Sequence, residues 1–196
     1  MHFRGLLCAG LCLTLAGPAA ALGQGMPMPQ KPFTPQPVAP ADSLNALLSV
    51  MESEVVGAAE AMPAEKYDFA PSTTIGLYTG VRTFAQQVKH LTEANYAFFR
   101  GFGVPGAVDM KSIEALTTKD DIVDALKKSY AYAHAAVSTI TPDNAFLSVP
   151  GPPQWKPTRA SMAAFCMAHS MDHYGQMVEY LRMNGIVPPA SRPQKK

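Results

Sequence analysis

Cysteine is scarce in this chain, three in 196 residues, and no CxxC pair occurs. Neither a disulfide framework nor a thiolate knuckle is therefore encoded. Charge of one sign is also missing. The formal net charge is +1, and the one basic cluster is the terminal Lys195 and Lys196, which gives a nucleic-acid or anionic-membrane partner nothing to grip. No stretch alternates apolar and polar residues at the two-residue period of a strand. No glycine-rich phosphate loop, no GxSxG elbow and no internal repeat is present. The longest apolar run, Leu6 to Ala16, is shorter than the roughly 20 residues a membrane span needs. Apolar residues nevertheless make up 47% of the chain, enough for one globular domain with a sizeable core and too much for general disorder.

The start of the chain has its own character. His2 and Arg4 are basic, Leu6 to Ala16 is apolar, and Ala19 to Gly23 is small-residue sequence. That order is the layout of a secretory signal peptide, residues 1–23, with cleavage expected after Ala21 or Gly23. Export to the periplasm or beyond is the corresponding expectation. Cys8 and Cys12 would leave with the signal, so the mature protein would keep Cys166 alone and form no internal disulfide. Residues 24–40, QGMPMPQKPFTPQPVAP, carry proline at nearly every second or third place and read as an extended spacer. The domain is expected over 41–191, followed by a tail, 192–196.

Within it, four helical segments stand out. The first is expected from Asp42 or Ser43 to about Met62, with Leu44, Leu47, Leu48, Met51, Val55 and Ala58 at three-to-four spacing. A loop with Pro63, Pro71, Gly76 and Gly80 follows, its Tyr67 and Phe69 expected to fold back as a lid on the core. The second helix opens at Thr83, with Gln86 completing a capping box, and runs to about Arg100. The third starts at Thr117 or Thr118 and runs to about Ile140. Asp120 and Asp121 sit in its first turn, where the helix dipole favours acids. After another proline-rich linker, Thr158 caps a last helix that stops at Asn184-Gly185. Four amphipathic helices with long Pro/Gly-rich connections predict an all-α four-helix bundle.

The last helix carries the chemistry. In AFCMAHSMDHYGQMVEYLRMNG, His169 and His173 lie one turn apart on one face and can share one cation. That face also carries Met162, Cys166, Met177 and Tyr180, so the pair is expected to point inward. The spacing alone fits core histidines satisfied by hydrogen bonds equally well. A metal site needs a third ligand from another helix, and His90 and His134 are the candidates. His134 reads also as a partly exposed helix histidine. His90 sits off the centre of its helix's apolar stripe, yet its own face carries the small residues Ala94 and Ala97, which leave room for a cavity. Cys166, one turn before His169, reads as a small buried hydrophobe or as a fourth soft ligand. Trp155 and the methionines of the last helix read as core. Glu93, Asn95 and Asp172 are candidates to orient the histidine nitrogens not used for a metal.

Several of these stretches resemble one family. KHLTEANYAFF around His90, preceded by VRTFAQQ, is similar to the second-helix signature of the DinB-like metal-binding four-helix bundles. HSMDHYGQMVEYLRMNGIVPPAS is similar to their last-helix signature, and AMPAEKYDFAP to their connecting loop. In that family three histidines hold one divalent metal. The resemblance places them at His90, His169 and His173 and decides against His134. It also implies an up-down-down-up bundle, and it matches Gly175 and Gln176 to a GQ pair whose glycine would allow close helix approach. Related bundles often dimerise, so a homodimer is a further expectation.

Three neutral imidazoles leave coordination positions open for water or substrate, as in catalytic rather than closed structural metal sites. All-nitrogen ligation suits zinc, nickel, iron or copper. Two functions follow: an exported metal-dependent enzyme, hydrolase-like or a thiol-dependent transferase, or a non-catalytic module whose metal stabilises the fold or captures a small ligand. No acid/base residue stands out beside the three histidines, and thiol cofactors of that kind are cytoplasmic, which sits poorly with export.

Overall fold

Helices alone account for the regular structure of the computed structural model, which describes residues 34–193. They are α1 (Pro40–Ala61), α2 (Phe84–Phe99), α3 (Met110–Glu114), α4 (Lys119–Val137) and α5 (Arg159–Met183). Four are long and one is short. Among the described residues there is no strand, only an isolated bridge between Ser148 and Thr158. The chain divides into two units, Met1–Gln36 and Pro37–Lys196, and all five helices lie in the second. The expected signal peptide, residues 24–33 of the spacer and the end of the tail (194–196) lie outside the described residues. No helix within them is long and apolar enough to cross a membrane.

The caps explain most helix boundaries. Thr83 accepts from the Gln86 backbone N–H at 3.3 Å while Gln86 Oε1 accepts the Thr83 N–H at 2.8 Å, the expected capping box. The preceding loop finishes the job. Carbonyls of Phe69 and Tyr67 take the N–H groups of Phe84 and Ala85, both at 2.8 Å. The first turn of α2 is thereby satisfied and held. Tyr67 is buried, its hydroxyl donating to the Ala59 carbonyl at 2.7 Å, so the loop does fold back onto the core. At α5, Thr158 and Ser161 form a second capping box, and Gly185 closes the other end with φ +74°, the left-handed turn that glycine adopts without penalty.

Three boundaries differ from the sequence expectation. α1 opens at Pro40 rather than at Asp42 or Ser43, so the last proline of the spacer belongs to the helix. Proline is preset for the first helical position and lacks only an N–H that would be unpaired there. α3 was not expected. Asp109 caps it by accepting from the Lys111 N–H at 3.1 Å, and five residues are too few to show a period. α4 stops at Val137, short of Ile140. Beyond it the Ser138 and Thr139 hydroxyls donate to the carbonyls of His134 and Ala136, competing with further helical turns.

In the bundle, α1 packs on α4 and α5, and α2 packs on the same two helices. Val55, Leu91, Phe99, Leu126, Tyr130, Met177 and Leu181 are buried where they meet. Each such side chain contributes about 1.5–3 kcal/mol by leaving water. One buried polar knot ties three helices together. Asn95 of α2 donates to Ser129 Oγ of α4 at 3.0 Å and accepts from Cys166 Sγ of α5 at 3.3 Å. Along the α1–α4 contact, Asn45 meets His134 and Ser138 while Glu60 meets Lys119 and Lys127. Along α1–α5, Leu44 and Met51 share a groove with Ala164 and Met171.

Two expectations about packing are corrected. Trp155 is not core but 53% exposed, because the proline-rich linker holds it in a single 3₁₀ turn, Pro153–Trp155, at the surface. Met162, Met167 and Met177 are buried as expected, whereas Met171 and Met183 are exposed. Gly175 is the second correction. A Cβ built there meets nothing within 4 Å, so no neighbouring helix uses its missing side chain. Gly175→Ala is therefore expected to raise stability by about 0.5–1 kcal/mol, through helix propensity. A destabilisation in chemical denaturation would mean that something packs on this position after all.

Candidate metal centre

The site forms where α2 and α5 pack. Contacts pair Gln87 with Gln176, His90 with His169 and His173, Asn95 with Cys166, and Phe98 with Phe165. This register brings one imidazole from α2 against two from α5, the three forming a triangle. Ring centroids of His90 lie 5.0 Å from His169 and 4.7 Å from His173, and those of His169 and His173 are 4.5 Å apart. One ring nitrogen from each lies within 4.8 Å of the others. Among the described residues, this is the cluster of three or more His, Cys, Asp or Glu side chains able to hold a metal ion. His173 is buried and the other two are half-buried.

His134 stands elsewhere. Its Nδ1 meets Asn45 Oδ1 at 2.7 Å and its Nε2 meets Glu52 Oε2 at 3.1 Å, a surface arrangement between α4 and α1. Cys166 does not join the cluster either. Burial pushes its thiol up to about 12, so it stays protonated and behaves as a small apolar side chain with an S–H donor.

Local chemistry prepares the three nitrogens for a cation. Burial comes first, with Arg82 and His169 adding to it, and holds His90 down at about 4. Burial, His169 and His90 do the same to His173, also about 4. Burial lowers His169 as well, against an upward pull from Asp172. All three are therefore neutral at pH 7, each with a lone pair to give. His169 Nε2 is the deciding atom: it is buried and has no hydrogen-bond partner. An orphaned buried nitrogen is costly unless something uses it. A metal ion fits that need and the donor set.

The residues that aim the imidazoles were only partly legible. His173 Nδ1 lies 2.6 Å from Gln87 Oε1, while Gln87 Nε2 donates to Gln176 Oε1 at 2.8 Å and Gln176 Nε2 to Asp172 Oδ2 at 3.3 Å. Because the Gln87 amide nitrogen is committed to Gln176, its oxygen accepts. His173 thus carries its proton on Nδ1 and leaves Nε2 free toward the other two rings. Asp172 was expected to orient a histidine directly and instead ends this relay. Asn95 serves the polar knot described above. Gln87 was missed, although a glutamine three residues before His90, within the apolar stripe of Phe84 and Val88, is the signal that could have found it.

A scan against protein families matches the DinB superfamily over residues 47–177. The chain belongs to the DinB superfamily. A search of curated proteins finds no match. The matched span covers α2, α4 and the part of α5 that bears His169 and His173. DinB-like proteins typically bind metal, and the proximity of three histidines in this DinB domain agrees with that.

The cluster also has an outside. A polar cleft of about 570 Å³ runs past His90 with Arg82, Gln86, Lys89, Glu93 and Glu114 on its walls. An apolar cleft of about 460 Å³ also opens on His90 and His169. Small molecules therefore have room to approach the nitrogens.

The lowered histidine values set a pH dependence for the metal-free protein. An unfolded chain takes up protons on these rings below about 6.5, whereas the folded one resists until about 4 for His90 and His173. The unfolded state binds more protons in that window, so stability is full above it and falls as pH drops from 6.5 toward 4. The melting temperature of metal-free protein should decline over this range, and less steeply in His173→Gln. Equal slopes would contradict the neutral, buried cluster.

Proposed function

We propose that this DinB protein is exported and metal-dependent, with His90, His169 and His173 holding one divalent transition metal, zinc, nickel or iron, for chemistry on a small-molecule substrate. The observation that carries the reading is the unpartnered, buried Nε2 of His169 facing two further neutral imidazoles. A metal bound there would act as a Lewis acid with positions left open by its three protein ligands. The chain's own residues do the rest. Gln87, backed by Gln176 and Asp172, fixes the tautomer of His173. Glu93 lines both clefts beside His90, and burial together with Glu114 raises its carboxyl above the usual range. It is the group placed to hold or move a proton at the open side, a role for which the sequence had offered no candidate. Arg82 and Lys89 supply cationic walls for an anionic group. Hydrolysis is the reaction class we favour over thiol transfer, since the signal-like start argues against a cytoplasmic thiol.

The same reading includes an up-down-down-up order for the long helices. What supports it is the run of paired positions. Asn45 with His134 and Glu60 with Lys119 argue for α1 antiparallel to α4. Gln87 with Gln176 and Phe98 with Phe165 argue for α2 antiparallel to α5. Lys89 with Leu116 and Tyr132 with Phe99 argue for α2 running alongside α4 in the same sense.

Elemental analysis of the purified protein tests the centre. About one equivalent of metal is expected, lost in His90→Ala and His169→Ala, with affinity about 10–100-fold weaker in Gln87→Leu. Recovery of a form lacking the first 21 or 23 residues outside the cytoplasm would support export. Loaded protein screened on esters, lactones, amides and phosphoesters should then turn one class over. If metal removal lowers the melting temperature but nothing is turned over, the centre belongs to a ligand-binding module instead.

A further inference from the structure

The apolar cleft has a composition that the metal reading does not require. Its wall is a run of aromatic rings leading to the cluster. Trp155 and Phe165 have centroids 5.2 Å apart, Phe165 and Phe98 are 5.1 Å apart, and Phe98 meets His169 edge-on at 5.3 Å. Trp155 is 53% exposed and Phe165 38% exposed, although the chain has a single tryptophan and could have buried it. Ala94 and Ala97 form part of the same lining, leaving space where larger side chains would close it. Arg100 stands there too, and among the described residues it makes no ion pair. Aromatic side chains left open around a mostly apolar cleft of about 460 Å³ that reaches His90 and His169 suit a flat apolar ring, while few polar groups are there to meet the hydroxyls of a sugar.

We infer that the cleft selects a small aromatic molecule of one or two rings, held edge-on or stacked between Trp155, Phe165 and Phe98, whose single oxygen-donor head, a carboxylate or carbonyl, faces the three histidines. This rests on the metal reading above and adds the class of ligand. The polar cleft, which also reaches His90, would then receive whatever the head carries beyond the ring. The cleft carries one cation, Arg100, and one carboxyl, Glu93, so Arg100 is the partner there for an anionic head and Glu93 the group that would have to be protonated beside it.

Two probes with one head and different bodies separate the parts. Acetohydroxamate and benzohydroxamate both chelate a metal, and only the second has a ring. Calorimetric titration of the metal-loaded full chain should show benzohydroxamate binding at least about tenfold tighter, with a saturable change in Trp155 emission. Phe165→Ala and Trp155→Ala, both at exposed positions, should bring the ratio below about threefold and leave acetohydroxamate unchanged. A ratio near one in the unaltered protein, or a preference that survives both substitutions, overturns the inference while leaving the metal centre standing. If the protein takes up metal but neither probe binds, the inference fails. If it takes up no metal, both readings fall. An emission change that follows protein concentration instead of probe would show the rings covering a second copy, which also overturns it.

Discussion

The contact between Gln87 and His173, 2.6 Å long and buried, is the constraint on which the site depends. It crosses from α2 to α5, so it fixes the register between the two helices that own the imidazoles. It also consumes Nδ1 of one ring, which leaves the other nitrogen for the cluster. Slide either helix by one turn and Gln87 loses its partner, His90 leaves its neighbours and Asn95 no longer reaches Cys166. Hydrophobic packing is tolerant of such slippage, since one apolar side chain replaces another at modest cost. Buried polar groups are not, because each unpaired one costs about 1–3 kcal/mol. The polar contacts thus select one alignment from the several that the apolar stripes would accept.

The same alignment has a built-in exception. Nearly every buried polar side chain of the bundle is satisfied, through Asn95, Ser129, Gln87 or the tyrosine hydroxyls, yet His169 Nε2 is not. Among the described residues this nitrogen is the exception to a problem the fold solves elsewhere, and that exception is what the proposed metal centre rests on. The apolar cleft lined by His90 and His169 opens beside the exception, and the polar cleft reaches the neighbouring His90. Ligand capacity, burial and approach route therefore coincide in one place.

Much of this was readable from the residues. The capping box at Thr83 and the Gly185 stop involve neighbours in sequence, and local rules describe local contacts well. The HxxxH pair was legible for the same reason, since one helical turn fixes its geometry. The partner at position 90 was not derivable from spacing, because His134 on the third helix stayed open as a candidate beside it. Family signatures decided it, and the cluster that forms contains His90 and not His134. What stayed hidden was what depends on tertiary surroundings. Gln87 shows in the sequence only as a glutamine inside an apolar stripe, and its partner on α5 does not show at all. Trp155 resembles core until the linker's prolines hold it outward. α3 is shorter than one and a half turns, below the length at which periodicity exists at all.

Cys166 carries a consequence of a different kind. In the folded protein its sulfur is sealed among α2, α4 and α5, hydrogen-bonded to Asn95 and deprived of its thiolate form. Native copies therefore cannot cross-link through it, even in an oxidising compartment. Unfolded copies can, because the seal is made by tertiary packing alone. In an oxidising compartment each excursion to the unfolded state would expose this thiol to another chain and withdraw the copy from refolding, so persistence there would be governed by how slowly the bundle opens rather than by its equilibrium stability.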